Sequence, residues 1–231
     1  MQITIAQDPS NSWSFPDLNY KLTKEFTDKN GHKVKLDIVM IDTMHIAGFV
    51  CGTEELSDEF FSQPPGPLSF AEASTTLSWV ENALSNSDAD YLVVAGHYPI
   101  FSPCSHGNTD ELVERLDPLL KRYGVTAYIS GHDHCQFHFS FDNMEYFLTG
   151  TGNGCCYGAN NQKSLPQEGD LKFLLADSHN YSGSSGVSGG FISFNVSGDN
   201  MKINIHRENG DVLYESELTP RADKSLVVAV N

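Results

Sequence analysis

The sequence predicts an α/β protein of two packed β-sheets with helices outside, an α/β/β/α sandwich, and three observations carry that prediction. Apolar, β-branched runs at residues 38–41, 91–94 and 125–129 alternate with helical patterns, which implies parallel strands and right-handed crossovers. Two of these runs end in Gly-His segments, Val94-Ala95-Gly96-His97-Tyr98-Pro99 and Ser130-Gly131-His132-Asp133-His134. Beyond residue 190 the pattern changes to an antiparallel meander.

The elements follow in order. The stretch through Pro16 reads as irregular, with Trp13 and Phe15 as anchors onto a core. Residues 18–26 and 33–42 form a hairpin through Asp28-Lys29-Asn30-Gly31, since Asn-Gly favours a tight turn. The second arm ends as Ile38-Val39-Met40-Ile41-Asp42, a run suited to a strand buried on both faces. A loop containing Pro64, Pro65 and Pro67 leads to a helix with a Ser69-x-x-Glu72 capping box and Ala73, Leu77, Val80 and Leu84 on one face. Strand 91–95 comes next. A second helical stretch, 109–123, presents Leu112, Val113, Leu116, Leu119 and Leu120; Pro118 restarts it with Asp117 as a new N-cap, and Gly124 ends it. Strand 125–130 closes the series. Residues 137–141 and 145–149 form a hairpin around Asp142-Asn143, residues 150–190 read as loop, and 190–196, 201–207 and 212–218 form the meander. There is no internal repeat, so residues 1–231 are expected to form one domain, and the chain to be a monomer.

A net charge of −16 argues against nucleic acid as a partner, because a polyanion is repelled. The first residues lack the basic start and long apolar core of a signal peptide, and the run 226–230 is too short to span a bilayer, so no membrane partner is expected. The 5 cysteines form no C-x-x-C pair, and an odd count cannot pair completely within one chain. Asn180-Tyr181-Ser182 and Asn195-Val196-Ser197 are sequons, glycosylated only if the protein is secreted.

Parallel sheets place ligands beyond the carboxyl ends of their strands, where both histidine segments fall. Neutral imidazole binds divalent metals well. In extended backbone His132 and His134 project to one side, ligating one metal each or sharing one, with His97 as a third imidazole. The competing reading makes them turn residues bonded to carbonyls. His106, in Cys104-Ser105-His106-Gly107-Asn108, reads either as a proton donor to a leaving oxygen or as a solvent-exposed loop histidine. His32, His45, His138, His179 and His206 read as structural or surface residues. Gly150-Thr151-Gly152-Asn153-Gly154 opens no helix, so it is a loop at the same edge rather than a dinucleotide fingerprint, and no G-x-S-x-G elbow is expected.

Val94–Pro99, His106-Gly107, Tyr123–Tyr128 and Gly131–His134 together resemble the purple acid phosphatases, particularly the small tartrate-resistant type, within the calcineurin-like metallophosphoesterases. Trp13-Ser14-Phe15-Pro16, Ile41-Asp42-Thr43, Cys51-Gly52, Leu77-Ser78-Trp79 and Gly189-Gly190-Phe191 extend the resemblance over nearly the whole chain. It implies hydrolysis of phosphomonoesters, small or on phosphoproteins, by a metal-bound hydroxide at a dinuclear site of Fe(III) and a divalent Zn, Fe or Mn. It further implies that His97 and His132 bind the divalent metal, His134 the ferric ion, and that His106 holds the phosphate or assists the leaving group. A secreted or lysosomal parent is implied too. The family blocks D-x-G, G-D-x-x-Y and G-N-H-[DE] would precede this sequence and are expected to be absent from it. With them would go the bridging Asp, a second Asp, the iron-binding Tyr, an Asn ligand and a second catalytic His. The expectation is therefore a sandwich lacking its first strands, with an open sheet edge and impaired or no activity. The alternatives are a catalytically incompetent truncated product that binds a partner, or a single zinc on His97, His132 and His134. Cys51 is expected to pair with Cys104 in place of the disulfide of the small type.

Overall fold

Four apolar runs pair in parallel at the centre of a seven-stranded sheet. The computed structural model describes residues 15–49, 63–153, 155–177 and 186–222. Trp13, Cys51, Gly154, His179, Asn180 and the run 226–230 lie outside the described residues. The elements are β1 (Tyr20–Thr27), β2 (Lys33–Met40), α1 (Thr43–Ala47), α2 (Phe70–Ser85), β3 (Tyr91–Ala95), α3 (Asp110–Arg115), α4 (Asp117–Arg122) and β4 (Ala127–Ser130). Then come β5 (Gln136–Phe141), β6 (Met144–Thr149), β7 (Asp170–Leu175), β8 (Gly190–Val196), β9 (Met201–Arg207) and β10 (Val212–Leu218). The large sheet has the order β1-β2-β3-β4-β6-β5-β7, with β2, β3, β4 and β6 parallel. The small sheet, β10-β9-β8, is the expected antiparallel meander.

The continuous apolar runs are explained by burial on both faces. Leu92, Val94, Tyr128, Phe139 and Leu148 pack against Val80 and Leu84 of α2, Leu112 of α3 and Leu120 of α4. Tyr91, Val93, Ala127 and Phe147 face the other way and pack on Met201, Ile203 and Leu218 of the small sheet. The described residues thus form three layers: helices, large sheet, small sheet. A helix on the far side of the small sheet is not among them.

Ser69 caps α2 as expected, its Oγ accepting from Glu72 N–H at 3.2 Å. The break between α3 and α4 falls at Leu116. Asp117 is the first residue of α4 and not its cap: buried, it accepts the Tyr146 hydroxyl and pairs with Lys121 at 2.9 Å. Pro118 is tolerated because the first turn of a helix leaves its N–H groups unused. The loop expected over 150–190 is corrected by β7, which pairs antiparallel with β5 through a register shift at His138/Phe139.

Candidate active site at the strand-end edge

The parallel pairing of β3 and β4 brings both histidine loops to one edge, where their backbones bond to each other. Gly96 N–H donates to the Ile129 carbonyl and Gly131 N–H to the His97 carbonyl, each at 3.0 Å. Gly96 is required by close approach, since a Cβ there would strike Thr43 and the Tyr128 hydroxyl. Tyr98 is pinned between elements: its N–H donates to Thr43 Oγ1 at 3.1 Å, and its carbonyl accepts the Tyr128 hydroxyl at 2.7 Å.

The second loop departs from expectation. His132 has φ +67, the left-handed region, so His132-Asp133-His134 is not extended and its two imidazoles do not share a side. The sharp turn falls on His132 and not on Gly131. A non-glycine residue there costs about 1–2 kcal/mol, a strain concentrated at functional sites. The turn sends the His132 ring onto His106, stacked with centroids 4.0 Å apart, beside His97 at 5.1 Å and Tyr98 at 4.6 Å. The His134 ring instead lies flat on Tyr157, centroids 4.4 Å apart and planes 2° from parallel. His106 is 6% exposed, which removes the solvent-exposed reading of that loop histidine. His97 remains exposed.

The cluster disfavours charge. Burial, then the neighbouring rings of His106, His97 and His134, lower His132 to about 2. Burial, with His134 and His97, lowers His106 to about 4. Loss of water around part of its ring also lowers His97, exposed though the residue is, against the pull of Asp42, and burial lowers His134 with help from His97. The rings are therefore neutral donors and acceptors near neutral pH.

Asp133, between the two histidines, is fully buried and turned away from them. Its Oδ2 accepts Ser102 Oγ at 2.5 Å and its Oδ1 accepts His106 N–H at 2.9 Å. Burial pushes the carboxyl up to about 6, while Ser102 and the N–H groups of His106 and Gly107 oppose that rise. Cys104 forms a disulfide with Cys135, closing a separation of 31 residues. This corrects the expected Cys51–Cys104 pair, because the chain crossing at the strand ends places Cys104 beside Cys135. Asn161 adds a further brace, its Nδ2 donating to the carbonyls of Cys104 at 2.7 Å and Ser105 at 3.0 Å. A Cβ on Gly150, the first residue after β6, would run into the Asp133 carbonyl.

For a metal, His132 Nε2 is a buried nitrogen without a hydrogen-bond partner on a neutral ring, the chemistry of an imidazole ligand. No group of three His, Cys, Asp or Glu side chains among the described residues converges on a metal position. Asp133 faces away, and Asp42 caps α1 through Met44 N–H at 2.9 Å. An anionic bridge between two cations is not supplied, and without one they repel. As they stand, these residues do not fit a dinuclear centre.

Sequence reading brought His97, His106 and His132 to one edge, where the structure groups them, and His134 stands nearby on Tyr157. It missed Ser102, Asp133, Tyr157 and the Cys104–Cys135 bond. The available signal was the placement of each cysteine next to a histidine motif. Two expectations were wrong in the sequence itself: the string G-x-S-x-G occurs, as Gly186-Val187-Ser188-Gly189-Gly190, which leads into β8 and opens no helix, and the string G-D-x-x-Y occurs, as Gly210-Asp211-Val212-Leu213-Tyr214. The second string lies in the β9–β10 hairpin, with Asp211 exposed and Tyr214 Oη 2.9 Å from His138 Nδ1, so it serves no site at the strand-end edge.

The calcineurin-like phosphoesterase family model matches residues 11–136. The tartrate-resistant acid phosphatase type 5 of Homo sapiens is 36% identical over 215 residues, 92% of this chain and 61% of the relative. Purple acid phosphatase 7 of Arabidopsis thaliana is 26% identical over 87% of this chain and 60% of its own length. The chain thus spans about three-fifths of the length of the curated relatives it matches. Among solved structures, GAP50, the anchor in the inner membrane complex of Plasmodium, superposes with TM-score 0.70 at 20% identity, covering 97% of this chain and 62% of that one. The purple acid phosphatase of yellow lupin (Lupinus luteus) seeds gives TM-score 0.54 at 12% identity, over 90% of this chain and 34% of its own. These two likenesses establish the fold alone.

Proposed function

The chain belongs to the calcineurin-like phosphoesterases, and from that membership we propose that it carries the histidine side of an acid phosphatase site acting on phosphomonoesters. The observation that carries the reading is the collection of four imidazoles from two strand-end loops, with buried His106 stacked on His132. The proposed substrates are small phosphomonoesters or phosphoproteins. As a neutral ring, His106 donates one N–H to a phosphate oxygen and orients the ester. His97, His132 and His134 offer neutral lone pairs to Fe(III) and a divalent ion, which when bound would supply charge neutralisation to the phosphate. That binding needs anionic ligands beyond the described residues. A secreted or lysosomal setting is supported by the Cys104–Cys135 disulfide, and glycosylation at Asn195 by its exposure on β8. No helix among the described residues is long and apolar enough to cross a membrane.

A second reading, a fold that binds a partner without catalysis, is favoured by one observation: no three potential ligands converge among the described residues. Equilibrium dialysis against Fe and Zn, followed by metal counting and an aryl phosphomonoester assay, separates the readings. Two metals per chain with turnover supports the phosphatase. One metal without turnover points to a lone imidazole site, and none to the binding fold.

A further inference from the structure

The loop carrying His106 runs between β3 and α3 without regular strand or helix pairing, yet its imidazole is buried and stacked on His132. Something other than secondary structure holds it. Three ties join this loop to the one that bears His132 and His134, and all three lie within four residues of His106. The Cys104–Cys135 disulfide is covalent, with Cys104 two residues before His106 and Cys135 next to His134. The Asp133 carboxylate accepts the backbone N–H of His106 itself at 2.9 Å. Its second oxygen accepts Ser102 Oγ at 2.5 Å, and the same hydroxyl accepts Cys104 N–H at 3.1 Å, so the loop is gripped on both sides of the cysteine.

Among the described residues no cationic side chain pairs with Asp133, though a buried carboxylate is costly without strong donors. Its donors all come from residues 102–107. Removing this carboxylate would strand the Ser102 hydroxyl and the N–H groups of His106 and Gly107, so Asp133 ties down a single loop. Because Asp133 sits between His132 and His134, its bonds to residues 102–107 join that loop to the chain between those two rings.

We propose that Asp133, Ser102 and the Cys104–Cys135 disulfide are positioning residues that fix the His106 imidazole on His132 and so preset its N–H toward a phosphate. The inference rests on the phosphatase reading for the role of His106, and its test is separable from that reading. The full chain, Asp133→Ala, Asp133→Asn, and Cys104→Ala/Cys135→Ala are treated with diethylpyrocarbonate, and the modification rate of each histidine is read by peptide mass mapping. His138 is the internal control, since it is fully buried and held independently by Glu145 and Tyr214. The expected result is a rise of about tenfold at His106 in Asp133→Ala and in the double variant, with His138 still protected. Asp133→Asn, which keeps one acceptor, is expected to fall between. Equal rises at His106 and His138 would reduce the three ties to general stabilisers of the fold, and no rise at His106 would remove the clamp altogether; either outcome overturns the proposal. Inorganic phosphate is then added to the unaltered chain. Slower modification of His106 supports the phosphate role. Its absence, with the variant pattern intact, would discard the phosphatase reading and leave the clamp standing.

Discussion

Two histidines, half-buried His132 at the strand-end edge and fully buried His138 between the sheets, have opposite surroundings. His138 lies on β5 with both ring nitrogens engaged: Nδ1 is 2.9 Å from Tyr214 Oη of the small sheet, and Nε2 is 2.7 Å from Glu145 Oε2 of β6. Its ring stacks on Phe147 at 4.1 Å. His132 has a strained backbone, a lowered pKa and an Nε2 with no partner. Natural proteins pair their buried polar atoms, and an exception marks a site held ready for something else. The partners of the ring nitrogens separate the two residues.

The contrast breaks most sharply under alanine substitution. In a preparation that hydrolyses an aryl phosphomonoester, His132→Ala is expected to lower kcat/KM by about a hundredfold or more while the urea midpoint stays nearly unchanged. A variant with near-normal turnover would remove His132 from the site. His138→Ala should do the reverse, costing about 2 kcal/mol in urea unfolding and leaving KM untouched. That cost comes from stranding the Tyr214 hydroxyl and the Glu145 carboxylate. It is set below the range for fully buried pairs because the Glu145 side chain keeps 20% of its exposure.

A smaller effect sharpens the same comparison through pH. Burial works to raise the Glu145 carboxyl, but the hydrogen bond and charge of His138, with Ser140 and Lys172, outweigh it and hold the group below its usual range. A carboxyl depressed in the folded state contributes stability that is present above its unfolded value and lost as pH falls through the folded one. Urea midpoints measured from pH 6 downward should therefore decline once pH passes below the ordinary glutamate range of about 4.3. The decline should be shallower in Glu145→Gln. Parallel curves for the two proteins would show that the pair makes no net contribution.

The residues that were legible in the sequence share one property: their placement follows from a repeating pattern. Tyr91–Val94 reads as a strand because both faces are buried, and the meander reads as one because Met201, Ile203 and Ile205 alternate with polar residues. The two histidine loops fall at one edge because consecutive parallel strands must end together. What the sequence hid depends on single contacts. The left-handed turn at His132 has no compositional mark, since glycine stands one residue earlier and would be the natural candidate. The partner of Cys104 is fixed by a loop crossing that spacing does not encode. The Gly210–Tyr214 string shows the converse hazard: a motif is only as good as the element that carries it, and a hairpin turn presents Asp211 to solvent.

The smallest expected effect tests the strain at His132 directly. Asparagine tolerates the left-handed region better than other residues with a Cβ, because its short side chain bonds locally. His132→Asn should relieve part of the backbone cost and remove a buried nitrogen that lacks a partner. Against this stands the lost ring packing on His106 and Tyr98. The balance is expected to be a gain of about 0.5 kcal/mol in urea unfolding, together with the same loss of turnover as the alanine variant. A residue whose replacement improves the fold while removing the chemistry is kept for the chemistry. A clear loss of stability would instead place His132 beside His138, as a ring retained for packing, and the distinction between the two clusters would fail.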